Sequence, residues 1–164
     1  MKKSSGILKS TRHSKIIGDF GELKICNWLS RSGFEIALVD HTGIDIVAYD
    51  KKTGQRLGIT VKSRTRCKGS ECESVNLLSN RKSDRIKIQE ACSAFGCVPW
   101  IGVYVETENE AYIYLTSLKN YEDKYMTKDK AIDDWKMSKG YIEKYAKDPE
   151  VKHIRINFDK NKWW

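Results

Sequence analysis

Residues 43–66 read GIDIVAYDKKTGQRLGITVKSRTR. Two apolar runs, 44–50 and 56–64, flank the polar turn KKTGQ. Runs rich in β-branched residues on either side of a glycine-containing turn predict a β-hairpin. Antiparallel pairing lays the start of the first strand beside the end of the second. Asp45 heads the first strand and Lys62 lies near the tail of the second, so both are expected at one edge of a sheet.

Working outward from the hairpin, a helix is predicted over about 14–32. Ile16, Phe20 and Leu23 share one stripe and Ile17, Trp28 and Leu29 extend the apolar surface, with Ser14 as its N-cap and Gly33 as its stop. Gly18 and Gly21 lie inside it and each costs about 1 kcal/mol relative to Ala. That cost suggests a close approach to another backbone or to a ligand. FEIALVD at 34–40 reads as a strand. The polar stretch after the hairpin reads as a loop. A helix follows over 83–96, with Ser83 as cap, Ile88, Cys92 and Phe95 as stripe and Gly96 as stop. Strands are predicted at 99–106, 111–118 and 152–158, with a helix somewhere in 128–147. This order predicts an α/β fold, a mixed sheet with helices packed on it, whose strand after the second helix runs parallel to an earlier one.

The chain of 164 residues suits one compact domain, with residues 1–12 as a flexible basic arm. The net charge of +8 favours an acidic partner, nucleic acid being the commonest, although a soluble basic surface has the same charge. The basic N-terminus lacks the apolar core of a signal peptide, and no apolar run approaches a membrane span, so a cytoplasmic protein without membrane contact is expected. The 5 cysteines are expected to be reduced. Cys67/Cys72 and Cys92/Cys97 sit at the outer edge of zinc-ligand spacing and are better read as ordinary thiols.

Glu22, on the first helix, can join Asp45 and Lys62 if that helix crosses the same sheet edge. Two carboxylates and an ammonium there suit metal-assisted phosphodiester hydrolysis. The acids would hold a hard divalent cation, and the lysine would orient water or counter developing charge. Each residue alone is better explained as a solvated charge. Their order and apolar context favour the site.

GDFGE (with Glu22), GIDIVAYD (with Asp45), ITVKS (with Lys62) and IQEACSAFGCVPWIGVYVE resemble successive elements of the PD-(D/E)XK nuclease superfamily. Within it the chain is similar to archaeal Holliday-junction resolvases and small restriction-type nucleases. The resemblance covers roughly residues 14–106. It implies a restriction-endonuclease-like mixed central β-sheet flanked by α-helices, and Mg²⁺- or Mn²⁺-dependent cleavage of DNA. Branched and single-stranded substrates are both open, as is a homodimer. Glu22, Asp45 and Lys62 would be catalytic, with Glu22 and Asp45 as metal ligands. Thr60 departs from the pattern, which has an acid, or sometimes Gln, two residues before the lysine. Either Glu22 and Asp45 suffice, or a carboxylate such as Glu90 arrives from elsewhere, or the protein binds nucleic acid without cutting.

Lys15, Ser63, Arg64, Arg66 and Gln89 are candidate nucleic-acid contacts, and Lys68, Arg81, Lys82 and Arg85 could extend a basic rim. His41 is given no role as a base. Residues 13–164 are expected as one nuclease-like domain, with a core at about 14–118 and an extension at about 119–164. Trp135, Met137, Tyr141 and Tyr145 in that extension are expected to form an apolar helix face. The closing KWW is open to packing or exposure. The extension also leaves open a subunit of a repair or defence complex.

Overall fold

A computed structural model of the protein describes residues 6–158. The elements are α1 (His13–Arg31), β1 (Phe34–His41), β2 (Ile44–Asp50), β3 (Arg56–Thr65), β4 (Val75–Leu78), α2 (Arg81–Phe95), β5 (Val98–Glu106), β6 (Glu110–Ser117), α3 (Leu118–Lys124), β7 (Asp133–Trp135), α4 (Lys139–Lys147) and β8 (Lys152–Asn157). Six strands form one sheet in the order β1-β2-β3-β5-β6-β8. β3 and β5 run parallel, and the other neighbours pair antiparallel. A second sheet pairs β4 with β7. The fold is a mixed α/β sheet flanked by helices. Among the described residues no helix is long and apolar enough to cross a membrane.

Each face of the main sheet has its own core. Ile17, Ile25 and Leu29 of α1 pack on Ile46, Ile59, Val61 and Ile113. On the other face α2 and the C-terminal elements bury Ile44, Ile88, Val103, Tyr114, Trp135 and Tyr145. β3 serves both. Ile59 and Val61 face α1, while Thr60 and Lys62 face the side covered by α2.

The face α1 presents differs from the expected stripe. Ile16, Phe20 and Leu23 stay 57%, 44% and 55% exposed, and Ile17, Gly21, Ile25 and Leu29 turn inward. The two stripes overlap in sequence, and closeness decides between them. A Cβ on Gly21 would collide with the Ser63 hydroxyl and lie 3.1 Å from Tyr104 Cβ. Only a residue without a side chain lets the helix settle this low. Gly18 meets nothing within 4 Å, so its lack of a side chain answers no contact.

Caps also move. Arg12, not Ser14, occupies the N-cap of α1, and no side chain caps it. Asn80, not Ser83, caps α2, its Oδ1 accepting the Ser83 N–H at 3.1 Å. Gly33 (φ 93°) and Gly96 (φ 62°) end their helices in the left-handed conformation as expected. Phe95 leaves the stripe of α2 and is 40% exposed. The stretch read as a loop after the hairpin contains β4, and α3 follows β6 directly.

Trp135 lies on β7 and Met137 just after it, so the expected helix face holds only Tyr141 and Tyr145. Trp135 stacks on Tyr145 with ring centroids 4.0 Å apart. Residues 1–5 of the basic arm and the closing KWW lie outside the described residues.

Gly21→Ala and Gly18→Ala should move stability in opposite directions. Gly18→Ala gains about 0.5–1 kcal/mol from helix propensity alone. Gly21→Ala should cost about 1–3 kcal/mol through overpacking against β3. Urea denaturation of both variants checks this; equal stabilisation would show that α1 does not press on β3.

Candidate metal and phosphate site

The site begins where the hairpin ladder ends. β2 and β3 pair in register from Tyr49↔Arg56 to Ile46↔Ile59. One step further, Asp45 Oδ2 accepts the Val61 N–H at 2.6 Å, a side chain standing in for a strand carbonyl. This bond fixes the carboxylate beside β3. The turn before it is held from the other side. Gly43 has φ 110°, and a Cβ there would lie 2.5 Å from the Lys87 carbonyl oxygen of α2. Positive φ and backbone contact both demand glycine.

Asp45, Thr60 and Lys62 line one cleft of about 240 Å³, together with Asp84, Lys87 and Ile88. Glu22 does not line it. It stands half-buried on the α1 side, yet within electrostatic reach. Its carboxyl is pushed above the ordinary range, first by burial and then by the charges of Asp45 and Asp19, with Lys62 and Lys15 opposing. The three predicted residues therefore share one neighbourhood from two faces of β3. Thr60, 6% exposed, occupies the position where the nuclease pattern has an acid.

Asp84 is the carboxylate that the sequence reading did not single out. Its position depends on where α2 starts. It accepts the Asn80 N–H at 3.0 Å and the Lys87 ammonium at 3.2 Å. Its carboxyl lies below the ordinary range, chiefly through the Asn80 bond, with Lys87 and Lys62 adding to it. An Asn followed by an Asp one turn into the helix was the available signal. Glu90, the acid suggested from sequence, is exposed on α2 because Ile88, Ala91 and Cys92 take the inward face. Gln89 is likewise exposed and outside the cleft.

The remaining candidates separate. Lys15 is exposed and pairs with Asp19 at 3.2 Å. Ser63 is buried on the α1 side, opposite to Lys62. Arg64 is exposed and donates to the Ser63 carbonyl at 2.8 Å. Arg66 is tied to Glu73 at 3.1 Å and to the Ser74 carbonyl at 2.7 Å. Arg81 and Arg85 both bind the fully buried Asp133, at 2.9 and 3.1 Å, and serve the fold rather than a basic rim. His41 is exposed, with its ring edge-on to Phe95.

Two carboxylates and a threonine hydroxyl fit a hard cation that uses one or two protein acids and keeps its waters. They do not make an all-protein cage. Among the described residues no three His, Cys, Asp or Glu gather closely enough for that. A larger cavity of about 480 Å³, lined by Ile25, Trp28, Phe34 and Trp100 among others, lies at the opposite end of the sheet. Its lining is mainly apolar, and its acid, Asp50, is spent on bonds within its own turn. The smaller, charged cleft is the better candidate.

No family model matches the chain, and no curated protein matches it. Among solved structures it is similar to Hjc, a Holliday junction resolvase from the archaeal hyperthermophile Archaeoglobus fulgidus. The TM-score is 0.54 and the identity 15%, over 76% of this chain and 85% of that one. The fold is restriction-endonuclease-like. At this identity the likeness carries the fold alone.

The raised carboxyl of Glu22 has a sign that can be checked. A folded-state acid pKa above its unfolded value costs stability once pH exceeds the unfolded value, and the cost is relieved as pH falls. Glu22→Gln should therefore raise Tm at pH 7 and lose that advantage in acid. Asp45→Asn should lower the Glu22 pKa in a carbon-detected NMR titration; an unchanged value would mean that the two carboxyls do not interact.

Proposed function

We propose that this protein is a divalent-metal-dependent nuclease that hydrolyses phosphodiester bonds in DNA. One observation carries the reading. Asp45, Thr60 and Lys62 line a single cleft at the sheet edge, and the carboxyl of Glu22 responds to both Asp45 and Lys62. The restriction-endonuclease-like fold and the net charge of +8 agree with it.

Glu22 and Asp45 would hold the ion, Mg²⁺ or Mn²⁺. When bound, it would supply Lewis-acid stabilisation of the phosphate and a more acidic water. Asp45 enters the reaction already oriented, because its bond to the Val61 N–H holds the carboxylate against β3. The Lys62 ammonium holds the attacking water or faces the negative charge that develops on the phosphate oxygens. Thr60 adds an uncharged oxygen. The site therefore attracts a dication less strongly than one with three acids.

Branched and single-stranded DNA both remain substrates to test, and a homodimer is a compatible assembly. The neutral Thr60 also favours a second reading, in which the protein binds nucleic acid without cutting it.

Cleavage of plasmid, single-stranded and four-way-junction DNA in Mg²⁺ or Mn²⁺ decides between them. Lys62→Ala and Asp45→Ala should each lose about 100-fold or more of the activity. Thr60→Glu restores a carboxylate and should lower the Mg²⁺ needed for half-maximal cleavage about tenfold, because affinity follows ligand charge. Equal cutting by all variants sinks the nuclease reading. DNA retention with no turnover, even for Thr60→Glu, establishes the binding module.

A further inference from the structure

A third cavity, of about 310 Å³, opens beside the first turn of α1. Lys9, His13, Ser14, Ser63, Arg64 and Arg66 line it, and none of its lining residues is acidic. Its wall includes the N-terminus of α1, which has no capping side chain and no acid in its first turn. The His13 N–H donates to the Ser10 carbonyl and the Lys15 N–H to the Arg12 carbonyl, each at 3.1 Å, so the Ser14 N–H and the positive end of the helix dipole remain available to an anion.

The cationic groups are partly fixed in place. Lys9 Nζ donates to the Thr65 carbonyl at 2.6 Å, which spans from the N-terminal segment to β3. Neither Lys9 nor Arg64 forms an ion pair with a carboxylate among the described residues. His13 is oriented by a chain of hydrogen bonds. The Thr65 hydroxyl donates its one proton to Glu106 Oε1 at 2.8 Å, so at its 2.7 Å contact with His13 it accepts from Nε2–H. Tyr104 donates to the other Glu106 oxygen at 3.0 Å, which locks the far end. Ser63 is 6% exposed, and its hydroxyl has no hydrogen-bond partner among the described residues.

We propose that this cavity is a phosphate-binding subsite, with Lys9, His13 and Arg64 holding the phosphate at the start of α1. The proposal rests on the nuclease reading for its role. Arg64 follows Lys62 by two residues, about 6.6 Å along the strand. The subsite therefore takes a phosphate that neighbours the one attacked, and it sets how the nucleic acid lies across the cleft. The bound group is either an internal phosphodiester or a terminal phosphate monoester, and both present the same oxygens to these cations.

The test uses the full chain. Inorganic phosphate titrated into the wild type should shift amide signals at 9–14 and 63–66 in ¹H–¹⁵N spectra, and the shifts should vanish in Lys9→Ala and His13→Asn. DNA affinity measured against salt should lose about one unit of slope for each cation removed at Lys9 or Arg64. Lys51→Ala, which removes a charge at the far end of the hairpin, serves as the control. A preference for 5′-phosphorylated over 5′-hydroxyl strands that disappears in the variants assigns the terminal source. Equal binding of both strands assigns the internal one. No phosphate-induced shifts, together with salt slopes that match the Lys51 control, overturn the proposal. Phosphate binding without cleavage of any DNA would keep the subsite and remove the nuclease reading.

Discussion

α1 rests on β3 through a residue that has no side chain, and the site depends on that contact. Gly21 sits against Ser63 and Tyr104. The next residue on the helix is Glu22, and the neighbour of Ser63 on the strand is Lys62. One close approach thus brings an acid of the helix near a lysine that faces the other way. The fit also fixes the rotation of α1. Ile25 reaches over Gly102, where a Cβ would lie 2.6 Å from its Cδ1. Ile16, Phe20 and Leu23 are left in solvent. Two glycines on different elements therefore act as a socket for the helix, and Glu22 inherits its place from them.

On the opposite face the same strand end is held by a polar device. The β2–β3 ladder ends at Ile46↔Ile59, and Asp45 takes over the next N–H itself. A strand end that frays would leave Asp45 and Lys62 loosely related. Here the carboxylate is bonded to the very strand that carries the lysine. Gly43 presses the preceding turn onto α2, whose first two turns bring Asp84 and Lys87 into the cleft. The site carries like charges close together, and the elevated carboxyl of Glu22 is the physical sign of that. Placing charges where folding alone would not put them is common at sites that bind or react.

How much of this was legible follows from the distance over which each interaction acts. Asp45 and Lys62 could be brought together from sequence because a five-residue turn joins their strands, so pairing is local. Thr60 stood out because it occupies a patterned position. Glu22 was reachable through the glycine before it, although Ile17 and Leu29, read as the extension of the apolar surface, turn inward while the stripe of Ile16, Phe20 and Leu23 does not. Pairing of β4 with β7 was not legible, since Val75 meets Trp135 across much of the chain and β7 has only three residues. The cation-lined cavity beside the first turn of α1 was equally hidden. Lys9 and His13 meet Thr65 only after α1 has docked. Arg81 and Arg85 looked like surface cations because their partner Asp133 is distant in sequence.

β8 is one of the two outer strands of the main sheet, and it is the last element described in the chain. Its six residues pair with β6, and β7 completes the small sheet just before it. A nascent chain therefore emerges with α1, β1 and the hairpin of β2 and β3 well before the β8 edge of the sheet. Until residues 152–157 leave the ribosome, β6 presents an open edge, and Tyr114 gains its cover from Tyr145 only shortly before them. Domains fold as units during synthesis, and unpaired strand edges invite association in the meantime. The order of elements thus places the chemistry-bearing strands early and the protection of the sheet late, so the growing polypeptide is most exposed to sticking in the interval before its C-terminal strand arrives.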